Sequence, residues 1–235
     1  MSVPCAAGRT RQSPRIRGFA PFAALAWLLM MLSALSARAQ NWTANLAATE
    51  PTFVALDSVG GTTYLYVSEH GAVPLGGAIT SDGGRILKYN LTSGSTTPAV
   101  IAVHGSADGQ FISPDAIAID PATHNLFIAD RYLNRVQEIT NTGTFVMKFG
   151  SSTSGAPDEM HGPVGLAFSA GALYVTEHGD TNGGGVVPNT VAKYTISGTT
   201  ASKVWRKGNS LNVPYSIAAQ GSIDDGYTAS PAGRT

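Results

Sequence analysis

The chain has 235 residues, 13% charged and 43% hydrophobic, with 27 Gly and 13 Pro. That composition is globular but too rich in loop formers for a helical bundle, and it excludes collagen, coiled coil and a wholly disordered chain. Fifteen basic and fifteen acidic side chains cancel, but they are placed unevenly along the chain.

Residues 1–39 hold Arg9, Arg11, Arg15, Arg17 and Arg38, no acid, and an apolar run from Phe19 to Leu35. This is the pattern of a secretory signal peptide, with Ala37 and Ala39 forming an A-x-A cleavage site before Gln40. The run is short for a retained membrane anchor. Cleavage removes five of the fifteen basic residues and leaves 40–235 with a net charge of about −5, which does not point to a nucleic-acid partner. Cys5, the only cysteine, leaves with the signal, so the mature chain is expected to stand on its apolar core without a disulfide. Cys5 also precedes the apolar run, where a lipoprotein cysteine would follow it. No second long apolar run exists, so no stable membrane anchor is expected after cleavage, and the location reads as secreted or periplasmic.

The mature chain repeats. Four segments start with Pro and continue into the same alternation: PTFVALD from Pro51, PDAIAID from Pro114, PVGLAFS from Pro163 and PYSIAAQ from Pro214. Each places an Ala (Ala55, Ala118, Ala167, Ala218) between apolar residues, as suits a strand packed where backbones crowd. After the first three come LYVSEH from Leu65, LFIADR from Leu126 and LYVTEH from Leu173, with a period of two and an acid near the end. Third strands follow from Arg85, Arg135 and Thr190. The fourth are AVIAVHG, FVMKFG and KVWRKG, closing on Gly105, Gly150 and Gly208. Four short antiparallel strands per unit, at spacings within the range of propeller blades, predict an all-β propeller. Its blades fall at about 51–105, 109–150 and 163–208, with part of a fourth at 213–235.

Gly109-Gln110-Phe111, Pro114, the Ala-centred strand, Leu126 to Asp130, Asn134-Arg135-Val136 and Gly150 together resemble one unit of the NHL-repeat family of β-propellers. The match is looser over 51–105 and 163–208, where insertions at 71–84 and 179–189 separate the second and third strands. The resemblance implies a six-bladed ring, of which three blades and one further strand are visible, so the sequence reads as an incomplete chain. A compact four-bladed ring, with 41–50 supplying a closing strand, and two arcs joined into one ring stay open as alternatives.

In a propeller of this strand order, the loops between second and third strands open on the same face as those joining blades. Glu69-His70-Gly71 and Glu177-His178-Gly179 sit at equivalent places on that face, and Asp130-Arg131 takes the place in the middle blade. Imidazole and carboxylate converging on a channel can hold Zn²⁺ and activate water, or serve as general acid and base. His70 and His178 are therefore the candidate metal ligands, with Glu69, Glu177, Asp130 and Arg131 completing the candidate site. The opposing reading is structural: an acid at a strand end accepts turn N–H bonds or pairs with the Arg that opens the third strand, Arg85 or Arg135. His104 and His161 are secondary candidates, placed in solvent-facing loops, and His124 belongs to the opposite face. Asp108 and the pair Asp158-Glu159 offer carboxylates to Ca²⁺ in the blade-joining loops, without the alternating acids of a calcium loop. No Ser-His-Asp or Cys-His arrangement can be read.

Two function classes follow. One is an exported NHL-type binding module that grips a protein, peptide or glycan with its channel face. The other is a metal-assisted lyase or hydrolase, since related six-bladed families include amidating lyases, streptogramin lyases and gluconolactonase-like hydrolases. The amidating lyases carry metal-binding histidines beside the Pro that starts a blade, where this chain has Thr52, Asp115, Val164 and Tyr215. That site therefore does not transfer.

Overall fold

Among the described residues, period-two alternation becomes thirteen strands in three sheets, antiparallel except for one short parallel pairing in the first. A computed structural model describes residues 48, 50–70, 84–153, 155–179, 189–208 and 216–218, all within the compact unit Asn45–Thr235. Residues 1–39, which the sequence reads as a signal peptide, the inserted stretches 71–83 and 180–188, and most of the fourth unit lie outside the described residues. Among the described residues no helix is long and apolar enough to cross a membrane.

The first blade comprises β1 (Pro51–Val59), β2 (Thr62–Glu69), β3 (Arg85–Asn90) and β4 (Ala99–His104). A two-residue strand, β5 (Gln110–Phe111), adds to it in parallel, pairing Val103 with Gln110 and His104 with Phe111. The sequence predicts four strands here; the fifth arises because the chain leaving the blade doubles back along β4, tied by the Gly105 N–H to the Phe111 carbonyl at 3.0 Å. The second blade is β6 (Pro114–Ile119), β7 (Leu126–Asp130), β8 (Arg135–Ile139) and β9 (Phe145–Phe149). The third is β10 (Pro163–Ser169), β11 (Ala172–Glu177), β12 (Thr190–Ser197) and β13 (Thr200–Gly208). Each sheet keeps its strands in sequence order, as a propeller blade does.

Blades meet through their first strands, β1 against β6 and β6 against β10. The cross-strand rows explain the repeated Ala. Ala55 lies opposite Tyr66, Ala118 opposite Phe127, and Ala167 opposite Tyr174. Each small-plus-aromatic pair receives one branched side chain from the next unit. Ile117 packs in the cluster with Tyr66 and Ala55, and Leu166 in the cluster with Ala118 and Phe127. Ile217, from the fourth Pro-led segment, packs against the cluster of Ala167, Ala172 and Tyr174 in the same way. A larger residue in the Ala column would occupy the volume that the incoming Ile or Leu fills.

Candidate functional site

The rim is built from the ends of the second strands and from the segments that join blades. The three strand-end acids are buried and engaged by cations. Arg85, opposite Glu69 in register, donates to Glu69 Oε2 from Nε at 2.8 Å and lies at 2.6 Å through Nη2. Asp130 accepts the N–H groups of Ile112 at 3.3 Å and Ser113 at 3.1 Å, with Arg135 Nη2 at 3.5 Å. In the third blade Thr190 occupies the register position of that Arg, and the cation comes from β13 instead. Arg206 Nη2 donates to Glu177 Oε2 at 2.6 Å, and the His161 N–H donates to the same oxygen at 2.8 Å. Burial pushes the Asp130 and Glu177 carboxyls up, opposed by these N–H donors and guanidinium groups.

The histidines separate by blade junction. At the junction of the first two blades, His70 Nε2 is hydrogen-bonded to Ser113 Oγ and lies 3.4 Å from Asp115 Oδ1. Burial raises the Asp115 carboxyl, and His70 and Arg131 pull it back. At the next junction His178 donates its backbone N–H to the Gly162 carbonyl at 2.9 Å. Burial and the nearby Arg131 charge hold its imidazole below the ordinary histidine range.

Ser113 and Asp115 are the residues that sequence reasoning missed as partners of His70. They flank Pro114, the first residue of β6, and the Pro114–Asp130 pairing brings them to the rim. The only signal for them was their position beside a blade-starting Pro. The trio holds the side chains of a nucleophilic triad but not its geometry. Ser113 and Asp115 both approach Nε2, whereas a triad needs the serine on one ring nitrogen and the acid on the other.

His104 and His161 do not sit in solvent-facing loops. His104 ends β4 half-buried, with its Nδ1 buried and without a hydrogen-bond partner among the described residues. His161 is 7% exposed because it fills the junction between the second and third blades, its Nε2 2.8 Å from Glu159 Oε1. His124 ties the β6–β7 turn to β1 through Asp57 Oδ2 at 2.9 Å.

Among the described residues, no three His, Cys, Asp or Glu side chains converge as a metal set. His70 faces Ser113 and Asp115, while His178 shares its surroundings with a guanidinium that disfavours a divalent cation. These residues do not fit a Zn²⁺ ion held between the two histidines. The carboxylates considered for Ca²⁺ are likewise engaged: Asp108 by Lys148 Nζ at 2.5 Å and Glu159 by His161.

No protein-family model matches the chain. Peptidyl-glycine alpha-amidating monooxygenase A of Xenopus laevis is 35% identical over 71 residues, which is 28% of this chain and 8% of the relative. Monooxygenase B of the same organism is 41% identical over 51 residues, 21% of this chain and 6% of the relative. The matches thus span less than a tenth of either relative. Among solved structures, a nidogen/laminin complex is 18% identical with a TM-score of 0.46, covering 71% of this chain and 51% of that one. A streptogramin B lyase is 17% identical with a TM-score of 0.44, covering 74% of this chain and 45% of that one.

Proposed function

We propose that the protein is an exported NHL-type β-propeller module, secreted or periplasmic, that binds a protein, peptide or glycan ligand on the rim carrying His70, Ser113, Asp115, Arg131 and His178. The observation that carries this reading is the division of labour at the strand ends. Glu69, Asp130 and Glu177 are engaged by Arg85, Arg135 and Arg206, which leaves hydrogen-bonding imidazoles and one further guanidinium at the blade junctions. Such a set orients a ligand by a few convergent polar groups on a scaffold of rigid blades. The six-bladed ring is part of the same proposal; the seat of Ile217, which repeats that of Ile117 and Leu166, supports continuation into a fourth unit.

The test is binding of the purified chain to glycan and peptide arrays, with wild type compared with His70→Ala and His178→Ala. Ligand capture lost in the variants at unchanged thermal midpoint is the expected result; capture insensitive to both overturns the assignment of the face. The second reading, a metal-assisted lyase or hydrolase, draws on the short matches to amidating monooxygenases and requires ligands from outside the described residues. It predicts a stoichiometric divalent ion by elemental analysis of the purified chain, retained in the His70→Ala/His178→Ala double variant and removed by a chelator. Absence of a bound divalent ion from the wild-type chain removes it.

A further inference from the structure

Four arginines lie among the described residues, and three are engaged by buried carboxylates: Arg85 by Glu69, Arg135 by Asp130 and Arg206 by Glu177. The fourth, Arg131, is half-buried at the rim, and its guanidinium makes no ion pair among the described residues. Its backbone is fixed. The Arg131 N–H donates to the Ser113 carbonyl at 3.0 Å, and the Asn134 N–H closes the turn onto the Arg131 carbonyl at 3.3 Å. The Asn134 side chain in turn accepts the Gly162 N–H at 2.7 Å, which joins this turn to the segment leading into the third blade.

Gly162 has φ +57°, and a Cβ there would stand 3.9 Å from Arg131 Cγ and 3.8 Å from His178 Cβ. The space a side chain at Gly162 would fill is thus bordered by the Arg131 stem and by a histidine from the neighbouring blade. Asp115 is within electrostatic reach of Arg131 but is itself engaged by His70 Nε2.

We propose that Arg131 is the anchor of an oxyanion subsite, taking a carboxylate or phosphate group of the ligand at the junction of the second and third blades. The inference rests on the reading of the rim as the ligand-binding face. A guanidinium on a fixed backbone, with no ion pair among the described residues, can give two parallel N–H···O bonds to such a group, a geometry an ammonium cannot reproduce. His178, whose imidazole burial and the Arg131 charge hold below the ordinary histidine range, stands beside it as a further polar group.

The experiment uses the full chain with ¹⁵N-labelled arginine, reading the Nε–Hε signals during titration at constant ionic strength. The probes are sodium acetate and sodium phosphate, with methylammonium chloride as the cation control. The expected result is a saturable shift of the Arg131 signal with an anion and none with methylammonium, while Arg85, Arg135 and Arg206 stay in place. Arg131→Lys should bind the same anion about tenfold more weakly, because one fork-shaped contact is lost. The stronger of acetate and phosphate names the group the ligand carries. A linear shift shared by all arginines means charge screening only and overturns the subsite. The two proposals also fail differently. If an array ligand binds wild type and Arg131→Gln equally while His70→Ala abolishes capture, the face stands and the subsite falls. If acetate or phosphate saturates Arg131 but no variant alters array capture, the subsite stands and the face falls.

Discussion

At the scale of single residues, His178 reports on Arg131. Burial is the larger cause of its depressed imidazole and the guanidinium the smaller, so Arg131→Gln should move the His178 titration upward without restoring the ordinary value. An NMR pH titration of the imidazole C–H signals checks this. The sign for stability follows: a folded histidine that binds its proton less readily than the unfolded one contributes stability above the unfolded pKa of about 6.5. That contribution is lost as pH falls through the depressed folded value. Arg131→Gln should narrow the pH range over which the loss occurs.

Gly143 is a second single-residue case. It turns β8 into β9 at φ +95°, and any Cβ would run into the Ile101 carbonyl of the first blade. Gly94, at φ +70°, faces open space. Gly143→Ala is expected to lower unfolding free energy by about 3 kcal/mol and Gly94→Ala by about 1 kcal/mol, as judged by denaturant titration. Both glycines stand in turns between strands. The packing that separates them comes from a strand some forty residues away and leaves no local trace.

At the scale of the strand, the second-strand acid is a repeated structural device with a changing partner. Glu69 and Asp130 take the Arg that stands opposite in the third strand, while Glu177 faces Thr190 and takes Arg206 from the fourth. Glu177 is fully buried, so removing its cation leaves a carboxyl with only N–H and hydroxyl donors. Arg206→Gln should cost about 3 kcal/mol, and Thr190→Arg in that background should recover part of the loss by rebuilding the arrangement of the first two blades. Chemical denaturation of the three proteins decides it. The acids and the Arg85 and Arg135 positions were legible because they recur at fixed register. Arg206 was not, because its role depends on a twisted fourth strand reaching across the third.

At the scale of the whole molecule, stability lies in the junctions between blades. Ile117 and Val54 hold the same place in their strands, yet Ile117 is 2% exposed and Val54 56%. The difference is the neighbour: Ile117 seats on Tyr66 of the first blade, whereas no described blade covers Val54. Ile117→Ala is therefore expected to cost between about 2 and 5 kcal/mol, and Val54→Ala no more than about 0.5 kcal/mol. Equilibrium unfolding of the two variants tests whether junctions, more than individual sheets, hold the fold.

The repeated Pro, the Ala column, the alternating strands and the strand-end acids were written in the chain order, because a strand's period and a blade's four-part pattern are local properties. That is why an all-β propeller of four-stranded units could be read from the sequence. The union of His70 with Ser113 and Asp115, the burial of His161 and an Arg131 guanidinium without an ion pair among the described residues were not. His70 and Ser113 are 43 residues apart, and they meet because two blades pack face to face, bringing the end of one second strand against the start of the next blade's first. Contacts across such a junction depend on how the rows of one sheet seat on the next, and it is there that imidazole, hydroxyl and guanidinium acquire the neighbours that set their chemistry.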